Sequence, residues 1–494
     1  MSSAPSSERP SAIPARDSNF LAQNPHLQPD GRPVDSADFE LPAPTAIGFD
    51  DINPPDPAGL DTCVHCGFCL STCPSYRVLG TEMDSPRGRI YLMDAITKER
   101  GDLKPETSAH FDSCLGCFAC VTACPSGVPY DKLIGATRNQ VERNVPRSLP
   151  DRLIRALTFN LFPYPDRLRK LLPPLWLYQK SGLQGAMRSS GILAKIWPQL
   201  ASMESSLPAI DLEEANAQFP TVIPALGETR YRVGMLLGCV QQLFFYSVNA
   251  ATARVLTANG CETIVPPEQG CCGALPAHQG QEEQAKTIAR QTIDRFEAFG
   301  LEELDAVVIN AAGCGHTLKE YGHILRDDPD YRDRAAAFAA KVKDVHEWLV
   351  EIGLTAELHP IADRDFSVVY QDACHLLHGQ KISSPPRQLL GSIPGVTVKA
   401  PADAALCCGS AGVYSIFQPE VSRELGRQKV TNLKATGAEV IASPNPGCAL
   451  QIKKHIGHVA APSPVLERTP PVLHPIELLD RSIRHDLLAD DALS

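Results

Sequence analysis

The chain has 494 residues, enough for three or four domains. Its 43% hydrophobic content is that of a globular protein rather than a disordered or fibrous one. The formal net charge of −11, with no basic stripe, argues against nucleic acid as a partner.

Residues 1–50 are rich in Pro, Ser and Asp. Such a segment cannot bury enough apolar surface to offset its ordering entropy, so disorder is expected there. No charged-then-apolar secretory pattern opens the chain. No run of about 18 apolar residues follows, so no transmembrane helix is expected. The 17 cysteines stand in metal-ligand spacings, which in a chain of this size points to metal in a reducing, cytoplasmic compartment and not to a disulfide framework.

Residues 51–140 carry the first strong motif. Cys63, Cys66, Cys69 and Cys73 read C-x2-C-x2-C-x3-C before Pro74, and Cys114, Cys117, Cys120 and Cys124 repeat that spacing before Pro125. This is the ligand pattern of a two-cluster bacterial ferredoxin, in which each run gives three thiolates to one [4Fe–4S] cluster and its fourth to the other. By that rule Cys63, Cys66, Cys69 and Cys124 hold one cluster, and Cys114, Cys117, Cys120 and Cys73 hold the second. Zinc and disulfides are the competing readings, but zinc usually takes two separated Cys pairs. Between the runs, helical periodicity extends over about residues 90–98. Arg87 and Arg89 precede it and read as surface or helix-start residues, with tuning of a cluster as the alternative.

Residues 141–228 read as a helical connector with aromatic and proline punctuation. Interdomain packing is the expected role. Its basic-flanked amphipathic stretch also suits contact with a membrane surface.

From residue 229 the chain repeats itself. Cys239, the pair Cys271-Cys272 before Gly273, and Cys314 recur as Cys374, the pair Cys407-Cys408 before Gly409, and Cys448, at offsets of 135, 136 and 134 residues. Apolar, β-branched runs (YRVGMLLGC, DAVVINAAGC, FSVVYQDAC, EVIASPNPGC) precede the single cysteines and read as buried strands. Helical patterns at about 247–259, 281–299 and 420–436 lie between them. Alternation of this kind predicts parallel sheets with packed helices, one α/β lobe at 229–360 and another at 361–480, with a tail at 481–494. The cysteines then fall at the carboxyl ends of strands, where such folds place their sites. They are candidate ligands of a further metal or iron–sulfur centre, one per lobe or one shared; redox-inert packing is the alternative. Cys261 has no counterpart and reads as a buried structural residue. His316 and His375 are candidates for metal binding or proton transfer, and His378 reads as structural.

The runs VHCGFCLSTCPSYRVLGTEMDSPRGRIYLM, CPSGVPY, DACHLLHGQ, CCGSAGVYSIFQPE and NPGCALQI resemble the iron–sulfur subunit of glycolate oxidase (glycolate dehydrogenase) over about residues 55–455. The doubled CCG motif is shared with heterodisulfide reductase subunits, lactate-utilisation proteins and the small subunit of anaerobic glycerol-3-phosphate dehydrogenase. The resemblance implies electron transfer from FAD-bearing partner subunits, which oxidise glycolate to glyoxylate or D-lactate to pyruvate, to a quinone or other acceptor. It also implies peripheral association with the inner face of the cell membrane. No catalytic residue is expected in this chain, since it lacks the glycine-rich fingerprint of a flavin or nicotinamide domain. Thr317 and Gln451 stand where related CCG proteins complete a C-x-x-C, which counts against the alternative of a heterodisulfide or thiol reductase.

Overall fold

The computed structural model describes residues 48–459 and 469–488. The N-terminal extension as far as residue 47 therefore lies outside the described residues, as does the tail from residue 489. The last residue of the predicted extension, Asp50, is held in place: its carboxylate accepts from Arg143 at 2.9 Å and Asn144 at 2.8 Å.

The cysteine-rich unit is built from short helices, several of which open on a proline: Pro57–Asp61, Pro74–Leu79, Pro86–Thr97 and Pro105–Asp112. Proline suits a first helical position, because its φ is preset and its missing N–H would have no partner there. The helix expected at about 90–98 begins earlier, at Pro86, because Ser85 caps it by accepting from the Gly88 N–H at 3.0 Å. The helix Tyr130–Asn144 closes the unit, and Leu60, Met93, Phe111, Leu133 and Val141 form its core.

Helices then run from Leu149–Leu161 through Pro165–Lys180, Leu183–Ser190 and Pro198–Ser205 to Leu212–Asn216. The first lobe is a five-stranded sheet of order β1-β3-β2-β4-β5, and the second a four-stranded sheet of order β7-β6-β8-β9. The strands are β1 Val222–Ile223, β2 Tyr231–Met235, β3 Cys261–Ile264, β4 Ala306–Ile309, β5 Val342–Asp344, β6 Phe366–Tyr370, β7 Val396–Lys399, β8 Val440–Ala442 and β9 Val472–Leu473. Leaving β1 aside, the two sheets share one topology. The register pairs Tyr231 with Cys261 and Phe366 with Val396, the second pair 135 residues beyond the first. All pairings are parallel except that of β1, which joins β3 antiparallel at the edge. This edge strand is too short to carry a pattern and lies within the stretch expected to be connector. The strand runs around β2, β4, β6 and β8 appear as read, as do the helices Tyr246–Ala258, Glu282–Glu297 and Pro419–Lys434. Cys261 is fully buried on β3.

The lobes share a core. Val233, Val255, Trp348, Val368, Leu390 and Ile476 belong to one apolar cluster. The helix Pro475–Arg484, beyond the second sheet, lies on Tyr246–Ala258 of the first lobe, where Asp480 pairs with Arg254 at 2.7 Å. His474 caps that helix and bridges the lobes. Its Nδ1 accepts from the Ile476 N–H at 3.1 Å and its Nε2 contacts the Asn310 carbonyl at 2.8 Å.

Burial, aided by His346, holds His474 down to about 3, against the smaller opposing pull of Asp344. A depressed histidine contributes stability that is present above the unfolded value near 6.5 and is lost as pH falls toward the folded value. The thermal midpoint is thus expected to fall between pH 6.5 and 4. His474→Asn should flatten that dependence by about 1.4 kcal/mol per pH unit, as calorimetry across the range would test; an unchanged slope would refute the assignment.

Candidate metal centre

The two cysteine runs have the same backbone turn. His65 and Gly67 in the first run are left-handed, with φ of 54° and 87°, and so are Gly116 and Phe118 at the corresponding places in the second, with φ of 63° and 61°. Non-glycine residues rarely adopt this conformation. Here it turns backbone N–H groups inward onto sulfur. Cys63 accepts from His65, Cys117 from Ala119, and Cys114 from the Gly116 N–H at 3.3 Å.

The two runs lie side by side. Cys124 lies near Cys63 along with Cys66, so that their charges act on it, while Cys73 acts on Cys69 of its own run and on Cys117 and Cys120 of the other. Cys73, Cys114, Cys117 and Cys120 line one small cavity together with Arg89 and Tyr130. Among the described residues no three His, Cys, Asp or Glu side chains converge as a single ion requires. Four thiols gathered at one cavity are the kind of donor set that an iron–sulfur cluster takes.

The two sets differ in exposure. Cys66 is exposed, and Cys63, Cys69 and Cys124 are half-buried, whereas Cys73, Cys114, Cys117 and Cys120 are buried. Burial pushes Cys63, Cys69, Cys117 and Cys120 above the ordinary thiol value. At Cys114 burial also acts upward, but the guanidinium groups of Arg89 and Arg138 outweigh it and hold the thiol below that value. Arg89 is 0% exposed, which corrects the surface reading. It donates to the His110 carbonyl at 2.6 Å, Ser75 Oγ at 2.9 Å and Ser113 Oγ at 2.8 Å. Arg87 keeps a partly exposed side chain paired with Glu82 at 2.6 Å, while its backbone N–H donates to Cys69.

Each lobe carries a chain of four thiols. In the second lobe Cys374 and Cys407 lie 3.8 Å apart and Cys408 and Cys448 3.3 Å apart. In the first, Cys239, Cys271, Cys272 and Cys314 are hydrogen-bonded in sequence. The thiols follow the carboxyl ends of β2, β3 and β4, and of β6, β7 and β8. Gly409 makes its pair's turn possible: its φ is +85°, and a Cβ there would lie 2.7 Å from the Ser422 carbonyl and 2.9 Å from Leu425.

The lobes differ at one thiol, for Cys407 and Cys448 are pushed up by their thiol hydrogen bonds and by burial, as Cys239, Cys271 and Cys272 of the first lobe are. Cys239 is pushed well above the ordinary thiol value by its hydrogen bond with Cys271 and by burial. Cys271 and Cys272 end there as well; the bond from the preceding thiol lowers each, but the bond to the next thiol and burial outweigh it. Cys408 is held well below it by hydrogen bonds with Cys407 and Cys448, in the field of the buried Lys429. Thr292 occupies the corresponding helix position in the first lobe, since Ala285 and Ile288 approach Gly273 as Ser422 and Leu425 approach Gly409.

The second thiol set adjoins the second lobe. Cys374 acts on Cys117, and Leu115 and Cys117 share an apolar cluster with Cys407 and Tyr414. Phe118 enters a cage of His278, His316 and His375, at ring-centroid distances of 6.2, 5.2 and 5.2 Å. His375 Nε2 contacts the Gly116 carbonyl at 2.9 Å. His378 is satisfied at both nitrogens, by Thr122 at 2.9 Å and the Ala405 carbonyl at 3.1 Å, as a structural residue should be. Thr317 and Gln451 bond to Gly313 and Ser422. Sequence reasoning missed Phe118, Arg138, His278 and Lys429; none lies in a spacing that signals them.

These features define an iron–sulfur protein with a ferredoxin-type unit and paired cysteine-rich lobes. Residues 59–128 match the family model described as "4Fe-4S dicluster domain", and residues 233–319 and 368–453 match "Cysteine-rich domain". Residues 150–207 match "Glycolate oxidase iron-sulfur subunit, linker region". The chain is 41% identical to the probable glycolate oxidase iron-sulfur subunit of Bacillus subtilis, over 81% of this chain and 89% of that one. It is 36% identical to the glycolate oxidase iron-sulfur subunit of Escherichia coli, over 79% and 88%. Lactate utilization protein A of an Exiguobacterium species matches at 31% over 44% of this chain and 88% of that one. The chain belongs to the glycolate oxidase iron–sulfur subunit family, and its cofactors are iron–sulfur centres.

Two substitutions test this geometry. Gly409→Ala is expected to cost about 3 kcal/mol, from left-handed strain and overpacking. Gly80→Ala, at φ +72° in open space, should cost only about 1 kcal/mol; equal losses in thermal unfolding would refute the close-approach argument. Arg89→Gln removes a positive charge that favours the reduced centre. It should lower the potential of one iron–sulfur centre by about 60 mV, the equivalent of about 1.4 kcal/mol for one electron. Redox titration followed by EPR measures this, and unchanged potentials would remove Arg89 from that role.

Proposed function

We propose that this chain is the electron-carrying subunit of a complex that oxidises glycolate to glyoxylate, and D-lactate to pyruvate as a second substrate, on FAD-bearing partner subunits. Cys63, Cys66, Cys69 and Cys124 hold one [4Fe–4S] cluster, and Cys114, Cys117, Cys120 and Cys73 the other. When bound, these clusters supply one-electron carriers. Cys239, Cys271, Cys272 and Cys314 in the first lobe and Cys374, Cys407, Cys408 and Cys448 in the second hold a further metal or iron–sulfur centre, one per lobe or one shared. Domain limits at 51–140, 141–228, 229–360 and 361–480 follow the same division of labour. Similarity to glycolate oxidase iron–sulfur subunits and to lactate utilization protein A supports glycolate and lactate as the substrates.

The observation that carries this reading is a graded line of thiols. It starts at exposed Cys66, continues through the half-buried first set to the buried second set, and reaches the second lobe by way of Cys374. The exposed end is where a donor protein can approach. Val64 and Phe68, 68% and 66% exposed, flank Cys66 and give that end an apolar rim suited to a protein contact. The buried end excludes water. Arg89 and Arg138 stabilise negative charge on the second set, and the inward N–H groups do so on both sets. The electrons leave to a quinone, with the chain held peripherally at the inner face of the membrane. No helix among the described residues is long and apolar enough to cross a bilayer.

Cys63→Ser and Cys117→Ser variants of the purified complex should still show flavin bleaching by glycolate but lose acceptor reduction to background. Stopped-flow spectroscopy separates the two events. Full acceptor reduction in either variant would refute the assignment.

A further inference from the structure

A cavity of about 590 Å³ lies between the two lobes, beneath the linker helices. One wall is apolar: Leu161, Leu168, Leu172, Leu175 and Met203 come from the linker. The opposite wall carries Cys272, Cys314, Cys374 and Cys448 together with His278 and His375. Glu204 is the one charged side chain among the lining residues, and Arg188 neutralises it at 3.0 Å. Such a space rejects a charged, water-soluble oxidant and accepts an uncharged, lipophilic one.

The two histidines give the cavity its polar end. His375 is 8% exposed. Its Nε2 contacts the Gly116 carbonyl, to which it donates, leaving Nδ1 as an acceptor without a partner. His278 Nε2 is likewise buried without a partner. The rings lie 4.7 Å apart. Unpaired buried nitrogens cost free energy, and a ligand bearing a carbonyl or hydroxyl group removes that cost. His278 can donate to a carbonyl, and His375 can accept from a hydroxyl.

The outer face of the linker points to where the ligand comes from. Leu149 and Leu153 form an exposed helix stripe that runs into the cavity wall at Leu157, and Leu177, Leu183 and Ile196 are exposed as well, Ile196 at 77%. Residues 150–207 contain eight Lys and Arg against three Asp and Glu, in a chain whose net charge is −11. A basic, leucine-rich surface on an acidic chain matches an anionic lipid surface.

We propose that this cavity is the site at which an isoprenoid quinone is reduced. Its ring lies at the polar end of the cavity, beside the edges of His278 and His375, which are in contact with each other, and its hydrocarbon tail lies against the linker leucines and reaches the bilayer. The assignment rests on the electron-carrying role above. The quinone takes up two electrons, delivered singly through this chain, and two protons from water, and leaves as the quinol. Oxidation of glycolate to glyoxylate supplies the same number of electrons and protons.

The test uses the intact complex in vesicles containing anionic lipid. Irradiation with a short-tailed azido-quinone should label peptides of residues 150–207 or those carrying His278 or His375. Label confined to the partner subunits, or no label, would overturn the site. Leu175→Trp and His278→Gln should each raise the KM for a decyl-quinone by about tenfold while leaving glycolate-driven ferricyanide reduction unchanged. Unaltered quinone kinetics in both variants would also overturn it. A separate control reduces the wild-type complex with dithionite and adds the quinone. Reoxidation there without any response to glycolate would leave the cavity assignment standing and refute the substrate reading.

Discussion

A guanidinium buried between two thiols is the constraint on which the rest of this structure depends. A charge in the protein interior costs several kcal/mol unless it is paired and hydrogen-bonded. Arg89 meets that condition only where the two cysteine runs meet. It reaches Ser75, two residues past Cys73 of the first run, and Ser113, which precedes Cys114 of the second. Asp84 lies 3.7 Å away and also accepts from His110 and Ser113. The same Ser113 offers its carbonyl to Tyr414 of the second lobe at 3.0 Å. One cation thus links the junction of the runs to their docking on the lobe, and it places positive charge beside a thiol set that water cannot reach.

The lobes show how a duplicated fold can diverge in chemistry without changing shape. Topology, register and the glycine turn after each cysteine pair are common to both. What differs is a side chain on the helix behind the pair. Lys429 donates to the Asp403 and Ala404 carbonyls at 3.1 and 3.0 Å and lends its charge to the second thiol chain. Thr292 leaves the first chain without such a charge. The lobe with the cation is also the one that the second ferredoxin-type set touches through Cys374. The hydrogen bonds with Cys407 and Cys448 lower Cys408 most, and the Lys429 charge adds to them.

The linker joins these parts instead of merely spacing them. Its helices roof the cavity on one side and offer leucines to the outside on the other. A helix apolar on both faces is poorly suited to water. Here the inner face is matched by lobes that bury their own thiols, while the outer face remains exposed.

Much of the molecule was legible in its spacing. Ligand runs separated by two and three residues are local objects, and so are the buried strands around β2, β4, β6 and β8, because a strand covered on both faces of a parallel sheet must read as a continuous apolar run. The repeat showed itself because equal offsets need no knowledge of the fold. The short strands β1, β5 and β9 left no such trace, since two or three residues carry no period. Spacing was equally silent about Arg89, which resembled any helix-start arginine until Ser75, Ser113 and Asp84 closed around it. It was silent too about the gathering of His278, His316 and His375 around Phe118. Those residues are separated by tens to hundreds of positions, and which faces meet is decided by the packing of whole elements. Sequence alone determined the kind of chemistry, because thiols at fixed spacing can serve few purposes. Only the tertiary structure decided its direction and its exits, because burial, field and access are properties of assembled surfaces.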